Sequence, residues 1–342
     1  MDFTQCNAFV RMHAGLHSIK IQIRKGIIMR YIEDLRENEH VVEHYLCKQK
    51  QNLKTRSGKT YLSLRLMDKT GVIDAKVWEM SNDIGSFEEG DMIKIDGNIA
   101  TYQNELQFKI NKLRRSREGE YITGNYIPST DKDIDTLYAQ ALEIIKSITH
   151  PHVRELLEII IVNDKDQAAA FKSRSAAKSM HHAYMGGLLE HTLAVAQICD
   201  FMSSRYKHIN RDILMASALL HDIGKIYELS EMPINDYTDD GQMLGHIVIG
   251  SEMVTFAAAK IPGFSHELSS MIKHCIISHH GEYEYGSPKL PCIPEAILLH
   301  YADNMDAKLK TFEETLDSDK TPGAWTGYNR ALNRYLRRSD FS

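Results

Sequence analysis

No stretch of the 342-residue chain approaches the roughly 20 consecutive apolar residues that a membrane span requires, which argues against a membrane partner. The first residues show neither a secretory apolar core nor a small-residue cleavage site. Cysteine is scarce. Cys6, Cys47, Cys199, Cys275 and Cys292 make an odd set without a C-x-x-C pair. That speaks against a disulfide frame or a thiolate zinc site and points to a reducing, cytoplasmic location. Low-complexity tracts are also missing, and the length is enough for two domains with separate cores. Nothing in the chain pairs a Ser or Cys nucleophile with a nearby base, so an activated water is the expected attacker in any hydrolysis.

Charge is unevenly placed. Residues 41–118 carry 14 basic against 11 acidic side chains, and residues 119–342 carry 21 against 30. A mildly basic module therefore precedes an acidic one. An acidic second half does not exclude an anionic substrate, because bound cations invert the local field.

Residues 1–28 show no sustained period and read as a dispensable extension of unclear role; Met29 opens the first patterned stretch. Residues 29–115 read as a small β-barrel domain. Tyr61–Leu66 alternates with Leu62, Leu64 and Leu66 on one face, and Val72–Trp78 alternates with Ile73, Ala75 and Val77 inward. Further strands are expected at Met92–Ile95 and Ile99–Tyr102, with a turn at Gln103-Asn104 and a return through Leu106, Phe108 and Ile110. Several short strands in so few residues suit an OB-fold. Its outward face would carry Tyr61, Arg65, Lys76, Trp78 and Lys109, with Tyr102 beside them. Aromatics among basic side chains suit single-stranded nucleic acid, since bases stack while cations follow the phosphates.

Residues 116–132, punctuated by Gly119, Gly124 and Pro128, read as a linker. From Asp133 the pattern is helical, and residues 133–315 read as an all-α domain. Within it His221-Asp222-Ile223-Gly224-Lys225 ends the apolar run Ile213–Leu220. His191 and Asp303 each sit on an apolar helical stripe, and His246 and His279-His280 lie between them. Each alone has a bland reading as a core hydrogen bond or salt bridge. An ionised Asp buried beside a His needs a compensating cation or donors, and so many such residues on apolar faces point to one metal site gathered from several helices. Four or five imidazoles with two carboxylates favour manganese, iron, cobalt or nickel over magnesium. Gly224 suits a helix end where the chain turns.

His191, His221-Asp222 and Asp303 resemble the H…HD…D signature of the HD-domain metal-dependent phosphohydrolases, and His246 with His279-His280 resembles the dinuclear branch of that superfamily. The resemblance implies two divalent transition-metal ions: one on His191, His221, Asp222 and Asp303, the other on His246, His279 and His280, with Asp222 bridging. Asp222 and Lys225 would be the catalytic residues, Lys225 as a point charge on a phosphate oxygen. The order barrel, linker, helical domain resembles the YhaM-type 3′→5′ exoribonucleases. The stretches that carry this are Asp68-Lys69-Thr70-Gly71, Ala75-Lys76-Val77-Trp78, Gly187–Thr192, Leu244-Gly245-His246-Ile247 and His279-His280-Gly281. It implies a cytoplasmic RNA-degrading hydrolase, stimulated by manganese, that shortens single-stranded RNA or DNA from the 3′ end through metal-activated water. Two other readings stay open: a small-nucleotide or cyclic-nucleotide phosphodiesterase, and a nucleic-acid-binding regulator with a vestigial HD centre. Gly286-Ser287-Pro288 stands where cyclic-dinucleotide phosphodiesterases carry Gly-Tyr-Pro, which counts against cyclic dinucleotides. The loop 281–294 and the insertion 229–242 flank the ligands and are candidate specificity loops. Residues 316–342 form a basic and aromatic tail: Trp325, Tyr328, Arg330, Arg334, Tyr335, Arg337 and Arg338 fall at helical spacing, which predicts a solvated terminal helix or a contact with nucleic acid or a second copy in a homo-oligomer.

Overall fold

The computed structural model describes residues 29–79, 83–103, 105–178 and 182–339; the extension 1–28 lies outside the described residues. Five strands form a closed barrel: β1 (His40–Lys54), β2 (Thr60–Asp68), β3 (Gly71–Val77), β4 (Met92–Tyr102) and β5 (Glu105–Arg115), in the order β1-β2-β3-β5-β4. All neighbours are antiparallel except β3 and β5, whose parallel pairing sets Ala75 against Phe108 and Lys76 against Lys109. Closure leaves no free edge. The alternation seen in the sequence fills the interior: Leu62, Leu64, Leu66, Ile73, Ala75, Val77, Ile93, Ile95, Ile99 and Phe108 are buried in one cluster.

Two expected strands, Met92–Ile95 and Ile99–Tyr102, are one. β4 runs unbroken through Gly97, where the register with β5 slips between Asp96 and Gly97. A Cβ at Gly97 would meet the Lys109 carbonyl oxygen at 2.3 Å, so glycine permits the bulge that bends this strand around the barrel.

The stretch between the domains is pinned at both ends. Lys69 N donates to the Asn125 carbonyl and Tyr126 is buried beside Leu46 and Met67, while Ser129 bridges to Met185. The helical domain then comprises α1 (Ile134–Ser147), α2 (Pro151–Leu157, continued by a wider turn over Glu158–Asn163), α3 (Lys165–Ser173), α4 (Gly187–Ser203), α5 (Arg211–Leu220), α6 (Lys225–Glu228), α7 (Asp239–Met243), α8 (Gly245–Ala258), α9 (His266–Ser278) and α10 (Pro294–Ser318). Starts are marked by side-chain caps. Asp133 accepts from Thr136 N, Asn210 from Asp212 and Ile213 N, and Ser265 from Leu268 N. α5 is the central helix: every residue from Asp212 to Leu220 is buried, and it packs on α4, α9 and α10. The HD turn is therefore delivered at the end of the most enclosed helix of the domain.

The tail departs from its expected helix. α10 continues past residue 315 to Ser318, and the chain then forms a hairpin of β6 (Trp325–Asn329) and β7 (Arg334–Arg337). The turn at Arg330–Asn333, with Asn333 at φ 52°, reverses the chain. Thr326, Leu332 and Leu336 are buried, while Trp325, Tyr328 and Tyr335 are exposed. Among the described residues no helix is long and apolar enough to cross a membrane.

Candidate metal centre

Five histidines and two carboxylates meet at the inner ends of these helices. Asp222, 2% exposed, stands in the middle and its two oxygens face different sets. Oδ2 lies 3.5 Å from His191 Nε2 and 3.4 Å from His221 Nε2. Asp303 joins that set, its Oδ1 3.2 Å from His191 Nε2. Oδ1 of Asp222 lies 3.5 Å from His246 Nε2 and 3.7 Å from His279 Nε2. His280 completes the second set, its ring centroid 4.4 Å from that of His279 and 5.4 Å from that of His246.

Every ring is held from behind through Nδ1. His221 donates to the Ala218 carbonyl at 2.9 Å, His279 to Ile276 at 2.6 Å and His280 to Tyr285 at 2.9 Å. His191 is tied to Asp306 Oδ2 at 2.7 Å, and His246 to Glu228 Oε1 at 3.0 Å. With the proton on Nδ1, each Nε2 presents a lone pair inward, the tautomer a metal ligand needs.

The donor set fits divalent ions. Asp222 Oδ1 and His246 Nε2 are buried without hydrogen-bond partners and face each other. Two lone pairs so placed repel unless a cation sits between them. His191 and His221 likewise bring Nε2 to Nε2 at 3.2 Å. Imidazoles with carboxylates suit first-row transition ions.

The field differs across the centre. Burial works against charging His191, but Asp303 and Asp306 outweigh it and push this imidazole up to about 10, so its Nε2 lone pair is free only once a cation displaces that proton. That half attracts positive charge. Burial, with His280 and His221 adding, holds His279 well below the ordinary range, and burial lowers His280 as well, so these two imidazoles stay neutral. Burial also opposes ionisation of Asp222, yet Lys225 and His221 outweigh it and keep the carboxylate charged. Lys225 Nζ donates to Asp222 Oδ2 at 2.7 Å, close enough to the centre to reach a bound anion.

Clearance at the HD turn depends on glycine. Gly224 stands, as expected, in the turn between α5 and α6, but at φ −60° that turn does not itself require glycine. A Cβ there would lie 2.1 Å from the His246 carbonyl oxygen and 2.8 Å from Gly250 N. Its missing side chain lets α8 approach and brings His246 to Asp222.

A cavity of about 410 Å³ opens over the centre, lined also by Tyr285, Asn304, Lys308 and the hairpin residues Ala331 and Leu332. Sequence reading did not single out Asp306, Glu228, Asn304 or Lys308. Asp306 and Glu228 each lie three residues beyond Asp303 and Lys225 on the same helix, and that spacing was the available signal.

The barrel candidates gather on the outward side of β2, β3 and β5. Tyr61 and Trp78 stack at 4.7 Å with 24° between their planes. Lys76 donates to Ser63 Oγ at 2.6 Å and is the cross-strand neighbour of Lys109. Arg65 is exposed, 3.7 Å from Asp74. Tyr102 projects at the far end of β4, 61% exposed. None of these residues lines the cavity over the histidines.

The barrel and the buried His/Asp centre define an HD-domain protein with an N-terminal OB-fold. Residues 188–308 match the family described as HD domain, and residues 47–115 match the OB-fold nucleic acid binding domain. A relative from a Geobacillus species, named 3′-5′ exoribonuclease YhaM, is 33% identical over 84% of this chain and 88% of its own length. Relatives of the same name from Bacillus velezensis and Bacillus subtilis are 31% and 30% identical, each over 93% of this chain and 99% of their own length. The chain belongs to the YhaM family of 3′-5′ exoribonucleases.

Proposed function

We propose that the protein is a metal-dependent 3′→5′ exoribonuclease, with single-stranded RNA as its substrate, held by the barrel and hydrolysed at the centre around Asp222. The observation that carries the reading is the pair of partnerless lone pairs on Asp222 Oδ1 and His246 Nε2, buried beside a second cluster of His191, His221 and Asp303. His191, His221, Asp222 and Asp303 would hold one divalent ion, and Asp222, His246, His279 and His280 a second. Manganese suits this mixed imidazole and carboxylate set. Bound ions of this kind polarise a phosphodiester and lower the pKa of water toward neutrality.

The chain's own residues supply the rest. Asp306 and Glu228 fix the rings of His191 and His246. Lys225 and Lys308 put positive charge at the cavity where a phosphate would sit. The Tyr61–Trp78 platform offers a stacking surface, and Lys76, Lys109 and Arg65 lie beside it for the backbone. A vestigial centre would not retain all seven ligand residues together with their supporting hydrogen bonds.

The test is incubation of 5′-labelled single-stranded RNA with the protein and Mn²⁺. A ladder of products shortened from the 3′ end, abolished by a chelator, is expected. Internal cuts from the outset, or no shortening by metal-loaded protein, would refute it.

A further inference from the structure

Two cavities adjoin at the β6–β7 hairpin. The first holds the metal residues. The second, about 850 Å³, extends from Lys69 and Thr70 in the turn between β2 and β3 to Glu314 and Ser318 on α10. Thr311 and Ala331 line both, so this contact between α10 and the hairpin turn stands between the barrel side and the centre.

The hairpin is fastened over this junction. Asn329 Nδ2 donates to Thr315 Oγ1 at 2.7 Å, and Gly327 N to Asp319 Oδ2 at 2.8 Å. Arg338 Nη2 donates to both the carbonyl and the carboxylate of Asp319, each at 2.8 Å. Leu332, at the turn, is only 9% exposed although its neighbours Ala331 and Asn333 are exposed. These ties reach Thr315 in the last turns of α10 and Asp319 at its C-terminal cap, and α10 is the helix that carries Asp303. The roof and the ligand are thereby parts of one frame.

We infer that the β6–β7 hairpin is a specificity element that roofs the passage into the metal cavity, so that a strand enters by threading its free end. A roofed passage cannot admit the middle of a chain, whereas an open groove can. The inference rests on the exonuclease reading above and adds the structural cause of end selection. The outward Trp325, Tyr328 and Tyr335 need no role in it.

The experiment compares linear single-stranded RNA with a covalently closed circle of the same sequence, in Mn²⁺, using the full chain. The wild type is expected to shorten the linear strand and spare the circle. Ala331→Gly combined with Leu332→Gly opens the turn, and Asn329→Ala cuts the tie to Thr315 and the bond its Oδ1 accepts from Leu332 N, and carries the test should the double variant not fold. Hydrolysis of bis(p-nitrophenyl) phosphate, a small diester that needs no threading, reports an intact centre. With that activity retained, the ratio of circle to linear cleavage should rise about tenfold or more, within the range that pocket shape commonly controls. An unchanged ratio with intact small-diester hydrolysis would overturn the inference, as would a wild type that cuts circles as fast as linear strands. A wild type active on the small diester but inert on linear RNA would instead overturn the exonuclease reading, and the threading role with it.

Discussion

On the barrel, Arg65 meets Asp74 at 3.7 Å with both side chains about half exposed; at the centre, Asp222 is 2% exposed among four imidazoles and Lys225. The two regions use charge under opposite conditions. Water screens the barrel's cations, so each contributes little alone and the surface works by number and by stacking. Burial at the HD turn magnifies every interaction, and an uncompensated group there is costly. Binding tolerant of sequence suits the first setting, and chemistry that needs fixed donors suits the second.

The sharpest way to break this contrast is Asp222→Asn. It keeps the shape but removes the charge shared by both clusters, and hydrolysis of RNA should fall by about 10³-fold or more, given the several kcal/mol that metal ions supply. RNA affinity, measured by filter binding, should change little. Equal losses in affinity and turnover would show that the two regions are not separable.

Asp306→Asn acts one step back, through the ring of His191. Loss of such a supporting carboxylate typically lowers metal affinity by about 10–100-fold. Activity should therefore return at raised Mn²⁺, and a Mn²⁺ titration of the rate checks it; a drop that no Mn²⁺ restores would place Asp306 elsewhere in the mechanism.

Trp78→Ala removes half of the stacked platform. Stacking is worth about 1–3 kcal/mol per base, so RNA binding should weaken by that amount while hydrolysis of a small diester stays unchanged. The smallest effect belongs to Arg65→Ala: its exposed pair with Asp74 is worth about 0–1 kcal/mol, and a thermal melt should barely move. A large destabilisation would mean that the barrel's charges are structural after all.

Much of this was legible in the sequence because burial leaves a strong mark. The alternation of Leu62, Leu64 and Leu66 gave the barrel wall, and a His or Asp interrupting an apolar helix stood out at His191, His221-Asp222 and Asp303. The structure gathers those side chains with His246, His279 and His280 in one place. Asp306 and Glu228 offered only their spacing from Asp303 and Lys225, a weak signal, because a carboxylate on a half-polar helix face looks the same whether it meets water or the back of an imidazole. Gly224 was read correctly as a helix-end turn, but its second role was hidden: only the packed structure reveals that α8 passes 2.1 Å from where its Cβ would be. The hairpin was missed because its buried set is small. Thr326, Leu332 and Leu336 are too few to set a period, and the exposed Trp325, Tyr328 and Tyr335 happen to fall at helical spacing. Its inner contacts are with α10, far from it in pattern though near in chain.

The most direct measurement is the manganese content of wild-type protein and of Asp222→Asn, counted per chain after equilibration and desalting. Two ions in the wild type and at most one in the variant are the expected result. Two ions retained by Asp222→Asn, or a wild type that binds only one, would contradict the bridging role of Asp222.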